Sequence, residues 1–325
     1  MSVNVIDLNR GRWMTIQRYH LDLAWLAALV WGRNSWTGAI TQSTMPSMST
    51  LNAISTPAGG TLVPRHRLST RLWHWVNAVT IFVMLMSGLM IFNAHPHLYW
   101  GKYGANADPA WLSIGSDGTR GVMDIGTTRI TTTGVLGRWT DPDGRVQRRA
   151  FPYWATIPSS YNLALARRWH LAFAWILVLG GLGYWLRSFF NGHVRRDLAP
   201  SPGELSPAHI WQDIKNHARL RFPTGAAALK YNILQKLAYL SVLFVLLPLV
   251  VLTGITMSPG MNAAWPWLLD LFGGRQSARS IHFIAMALIT AFIVVHLLMV
   301  VLAGPWNEVR SMITGRYRLP KERAS

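Results

Sequence analysis

Cysteine is absent from the 325 residues, which excludes disulfides, iron–sulfur clusters, thiolate-ligated haem and covalently attached c-type haem. Acidic residues are scarce as well, 13 against 31 Lys and Arg, and none falls within the four long apolar runs of the chain. Charged residues make up only 14% of the sequence, whereas half of it is hydrophobic and 17 residues are tryptophan. That balance suits an integral membrane protein with aromatic belts at the two interfaces. The net charge of +18 raises nucleic acid as a partner, but the cations flank apolar segments and fill loops instead of lining one amphipathic face. Nucleic-acid binding is therefore not expected, and membrane lipids, cofactor carboxylates or an acidic partner are better counter-charges.

Four runs are long and apolar enough to cross a bilayer, which takes roughly 20 residues. They lie at about 72–92, 169–186, 231–257 and 280–304, and predict an all-α integral membrane protein, a four-helix bundle with a long loop between the first two spans. Pro248 is expected to kink the third span. Residues 1–64 fit the bundle poorly. Leu21–Trp31 is apolar but too short to span, and 34–60 is rich in Ser, Thr, Pro and Gly, as disordered linkers are. A true start at Met45 or Met48 accounts for this extension equally well. The connection 93–168 carries alternating Thr and Ile, then the Asp-Pro-Asp-Gly turn at 141–144, and reads as a small β-ribbon. A loop of that length is usually functional. Its His95 and His97 lack a third ligand nearby and read as solvated, as do His193, His209 and His217 in the polar connection 187–230.

The fourth run holds the most informative pattern. His282 and His296 are 14 residues apart, so on a helix they share one face about 21 Å from each other along the axis. An intramembrane histidine is costly without a partner. Taken singly, each is better explained by a hydrogen bond in the core. Two on one stripe, however, call for two more at matching depths, and the chain has them: His74 in the first turn of span one and His170 in that of span two. Depth pairs His74 with His296 and His170 with His282. Two neutral imidazoles on one iron leave no open position, which suits electron transfer and not oxygen chemistry. Two haem b groups are thus expected, with these four residues as iron ligands. Gly88 and Gly181 lie on the histidine faces of their helices at the opposite depth, where a flat macrocycle could pack, although glycine also marks ordinary membrane-helix packing.

Lys and Arg concentrate at 65–71, at 187–230 and in the tail 316–325, which places these segments on the cytoplasmic side. The 93–168 loop is then periplasmic. Arg167, Arg168, Arg275 and Arg279 depart from that rule, and their position beside His170 and His282 suits Arg167, Arg168 and Arg279 to pairing with haem propionates.

Several stretches carry a family resemblance: RLWHWVNA around His74, RRWHLAFAW around His170, KYNILQK with Asn232, LTGITMSP, and ARSIHFIA with FIVVHLLMVVLAG around His282 and His296. Over 65–315 the chain resembles the bacterial cytochrome b561/nickel-hydrogenase b-type cytochrome group, most nearly the formate dehydrogenase gamma subunit and the thiosulfate reductase cytochrome b subunit. That resemblance implies an inner-membrane subunit passing electrons between the quinone pool and a periplasmic molybdopterin or iron–sulfur oxidoreductase. It also implies a quinone site using Asn232 and His296, although Leu234 stands where the related Tyr-Asn-x-Gly-Gln-Lys motif has glycine. A proton-coupled transporter is the alternative in another class, and would need acidic partners inside the spans. A cofactor-free anchor is a further one, and gives no reason for four histidines at two depths.

Overall fold

The structure, a computed structural model, describes residues 3–7, 12–16, 60–105, 108–219 and 228–319. The apolar patch at Leu21–Trp31 and the linker reading of 34–59 lie outside the described residues. Strands Val3–Asp7 and Arg12–Ile16 pair antiparallel as a unit of their own.

From residue 60 onward the chain is mostly helical, with four helices long and apolar enough to cross a membrane: Leu68–Phe92, Leu163–Phe190, Ile233–Met257 and Arg275–Ala303. Each predicted span is present, and three of the four helices begin earlier than hydropathy alone suggests. Local chemistry explains one of those starts: the Asn162 side chain accepts from Leu165 N at 3.0 Å, capping the second helix six residues ahead of Trp169. Spans one and two pack together, as do three and four. Between the latter, Val250, Ala285 and Ile289 form a small apolar core.

The third span is not one regular helix. A π-helical turn at Val242–Leu246 separates Ile233–Ser241 from Leu247–Met257. Proline cannot donate to the carbonyl four residues back and crowds it. Pro248 therefore disrupts the ladder around Phe244, and the backbone answers with a wider turn one residue ahead of the proline.

The connection between spans one and two folds as a four-stranded antiparallel sheet, His97–Leu98, Leu112–Ser116, Gly121–Ile125 and Thr128–Thr131 in that order, followed by the pair Trp139–Thr140 and Val146–Gln147. Leu98, Leu112, Ile114 and Ala150 bury against Phe92 of span one, and Phe283 of span four packs onto the same cluster. Polar side chains of span four fasten the sheet from below. Ser280 donates to Tyr99 O at 2.6 Å and accepts from the Trp111 indole at 2.9 Å, and Ser277 accepts from Gly101 N at 2.7 Å.

At the opposite end of the bundle, Gly304, at φ +106°, turns the chain into helix Pro305–Thr314. The strand Arg316–Arg318 then pairs with Leu62–Pro64. Arg65 contacts Glu308 at 3.1 Å and lies 4.2 Å over the Tyr317 ring, closing this end of the domain.

Candidate functional site

The four intramembrane histidines come together in twos, as depth required. The His170 and His282 ring centroids are 6.4 Å apart, and those of His74 and His296 are 6.5 Å apart. Both pairs are tilted by 57°. The first pair lies at the sheet end of the bundle and the second at the tail end. Among the described residues no group of three or more His, Cys, Asp or Glu gathers at a metal-binding spacing, so neither pair is part of a tetrahedral protein site. Two metal–imidazole bonds of about 2 Å, each extended by about 1.1 Å to the ring centre, would hold two rings at this separation on opposite sides of one atom. His170 with His282, and His74 with His296, are thus spaced to hold one metal-bearing cofactor each, which would supply the ligands that two histidines leave open.

The sheet-side pair is held by a repeated device. On span one, the Ser87 hydroxyl donates to Val83 O at 2.7 Å, so its oxygen is free to accept from His170 Nδ1 at 3.1 Å, a proton shared with Met84 O at 3.1 Å. On span three, the Thr253 hydroxyl donates to Leu249 O at 2.6 Å and accepts from His282 Nδ1 at 3.0 Å. In both rings the proton sits on Nδ1, which leaves the Nε2 lone pair to bind metal. The residue after each hydroxyl is glycine. A Cβ at Gly88 would stand 3.3 Å from His170 Cε1, and one at Gly254 would stand 3.6 Å from His282 Cε1. The dipeptides Ser87-Gly88 and Thr253-Gly254 thus each bond one edge of an imidazole and make room for the next.

The tail-side pair is supported differently. Phe292 stacks against His296 at 5.8 Å, and Trp75 meets His74 edge-on at 5.2 Å. The buried His74 Nδ1 has no hydrogen-bond partner among the described residues. The Trp73 indole covers Gly180 and Gly181, where a Cβ would fall 2.3 Å and 3.7 Å from it. At Gly181, then, the space opposite His170 serves a tryptophan.

Other expected residues have defined surroundings. Arg279 donates to the carbonyls of His95 and His97 and lies over the Phe92 ring, clamping the sheet onto span four. Arg167 and Arg168 are exposed. His95 and His97 are not simply solvated: they are half-buried, with rings 5.2 Å apart and stacked toward Tyr99. Burial, reinforced by Arg279, holds both imidazoles below their usual range. Asn232 caps span three, its Oδ1 accepting from Gln235 N at 2.9 Å, while its Nδ2 lies 3.3 Å from His217 Nε2. His217 sits on helix Pro207–Ala218, started by the Ser206 cap and a proline, and it too was expected to be solvated. His193 likewise has a partner, Asp197 at 2.6 Å. An aromatic series runs inward from Tyr231 beside Asn232 through Tyr239 and Phe292 to His296, with ring separations of 5.4, 6.2 and 5.8 Å.

Sequence reasoning singled out the four histidines that come together in pairs but passed over Ser87 and Thr253. The available signal was a hydroxyl directly before a glycine, in two apolar runs that lack a second histidine.

Four candidate spans, with two opposed pairs of imidazoles between them, define a multi-pass membrane protein. The profile of the prokaryotic cytochrome b561 family matches residues 65–315, and the chain belongs to that family. It is accordingly a membrane b-type cytochrome, with haem b as cofactor and electron transport as its chemistry. The chain is 26% identical over 235 residues to the candidate protein-methionine-sulfoxide reductase subunit YedZ1 of Azospira oryzae, covering 71% of this chain and 87% of that one. It is 22% identical over 267 residues to a probable Ni/Fe-hydrogenase B-type cytochrome subunit of Cupriavidus necator, covering 78% and 85%. No solved structure matches the chain.

Proposed function

We propose that this chain is a dihaem cytochrome b subunit passing electrons between an oxidoreductase partner and the quinone pool of a bacterial inner membrane. The observation that carries this reading is the pair of matched imidazole spacings, 6.4 and 6.5 Å, at the two ends of one bundle. His170 with His282, and His74 with His296, would each hold one haem b, which supplies reversible one-electron transfer without an open coordination site. Ser87, Met84 and Thr253 keep the sheet-side imidazoles in the ligating tautomer. Span four sets the two sites about 21 Å apart along its axis.

The partner docks on the 93–168 connection, which carries the sheet, on the periplasmic side, with 65–71 and the tail in the cytoplasm. The greater number of Lys and Arg at the tail end of the bundle supports this orientation. Both curated relatives carry names of subunits of redox complexes, an oxidoreductase and a hydrogenase, which supports a partner of that kind. A molybdopterin or iron–sulfur subunit fits the motif resemblance. Quinone would exchange electrons at the tail-side pair, near Asn232 and His296, where the aromatic series from Tyr231 to Phe292 offers an apolar wall with few polar groups. Arg167 and Arg168, exposed at the sheet end, would meet propionates of the sheet-side haem, whereas Arg279 is engaged by the carbonyls of His95 and His97.

The test is a reduced-minus-oxidised spectrum of the purified protein with a pyridine haemochrome measurement. Two b haems per chain are expected. One haem, or none, in folded protein from haem-replete cells would overturn the dihaem reading.

A further inference from the structure

A cavity of about 490 Å³ opens at the tail end of the bundle, between the start of span one, the end of span two and the segments 193–204 and 229–236. Six Lys or Arg side chains line it against two acids, Asp197 and Glu204. Both acids are already engaged: Glu204 with Lys236 at 2.8 Å and Asp197 with His193 at 2.6 Å. Arg65 is held by Glu308. Arg67, Arg196 and Lys230 line the same space with no ion pair among the described residues. Ser69, Thr70 and Asn191 add neutral hydrogen-bonding groups to its wall.

This lining is wrong for a neutral quinone head, which calls for a mostly apolar pocket with one or two polar contacts. It suits an oxyanion carrying several acceptor oxygens. The position of the cavity at the ends of two candidate membrane spans indicates which one. Leu68, Leu186, Phe189 and Phe190, at the ends of the two spans beside the cavity, are 58%, 49%, 56% and 80% exposed. A ligand seated here has cations at its head and lies at the ends of two apolar helices, whose faces outside the cavity carry these exposed apolar side chains. We propose that the cavity binds the phosphodiester head of an anionic phospholipid, with the acyl chains lying along the end of span two.

The full chain, delipidated in a neutral detergent, is titrated with phosphatidylglycerol or phosphatidylcholine and read by native mass spectrometry. Phosphatidylglycerol should bind preferentially. The triple variant Arg67→Gln/Arg196→Gln/Lys230→Gln should lose about tenfold to a hundredfold in affinity, whereas Arg310→Gln, an exposed cation outside the cavity, should not. Should the triple variant fail to fold, Lys230→Gln alone is read for a smaller loss in the same direction. Equal binding of the two lipids, or unchanged binding by both cavity variants, overturns the proposal. Displacement of lipid by millimolar inorganic phosphate would make this a free-phosphate site and overturn the lipid assignment. Loss of haem from the triple variant with lipid binding intact would assign the cations to cofactor carboxylates instead.

Discussion

The two histidine pairs share a spacing but not a setting. At the sheet end, each imidazole is fixed by a hydroxyl, and each is flanked by glycine. At the tail end, contact is aromatic and His74 Nδ1 has no hydrogen-bond partner among the described residues. Hydrogen-bond acceptors behind a ligating histidine make it a stronger donor to the metal and fix its orientation. The sheet-side site is therefore preorganised, and a haem bound there should be the harder to reduce. Electrons arriving at the sheet end would then run downhill to the tail end.

The largest break in this comparison comes from His282→Ala, which should remove the sheet-side haem and halve the haem per chain, leaving the other haem's spectrum in place. Haemochrome assay with low-temperature spectra reads this, and an unchanged haem count would disprove the ligand assignment. Thr253→Val should next weaken haem retention at the sheet-side site by about 10- to 100-fold and raise its midpoint potential, with the tail-side potential unmoved. Redox titration tests the asymmetry, and equal shifts at both sites would refute it.

Smaller effects belong to the tail end. Glu308→Gln should cost about 1–2 kcal/mol in detergent unfolding, because it leaves the Arg65 cation half-buried without its carboxylate. His66 beside it has its pKa lowered to about 4 by burial and by the positive charge of Arg65, with Arg71 adding to it. The folded state thus disfavours a proton that the unfolded chain accepts near pH 6.5. The resulting contribution is complete above that value and declines as pH falls toward 4. Solvent screening keeps the change to about 1 kcal/mol, and His66→Gln should flatten it in a comparison of melting temperatures between pH 7 and 4.5.

The spans and the histidine partners were legible because both follow from one-dimensional rules: apolar length gives the crossings, and depth along a crossing selects which rings can meet. What sequence hid was mostly two-element chemistry. Asn232 reads as a polar residue at a span start, and only the folded chain brings His217 against it. Arg279 reads as a charge near a membrane interface, yet it is occupied with backbone carbonyls that arrive from the turn after Phe92. The β-ribbon expectation captured the sheet but not its attachment, which depends on Ser277, Ser280 and Trp111 meeting from distant parts of the chain. Three helices outrun their apolar runs for a simpler reason: hydropathy stops at an arginine, whereas a helix does not.

The π turn at Val242–Leu246 has a consequence for the reading frame of span three. Such a turn inserts one residue into the helical count, so every side chain beyond it is displaced by about 100° from where a continuous helix would carry it. Thr253 and Gly254 lie beyond it. Were the turn ironed out by deleting a single residue between 242 and 246, the hydroxyl that holds His282 would swing off its partner by more than a quarter revolution. The span would remain just as long, just as apolar and just as able to enter a membrane.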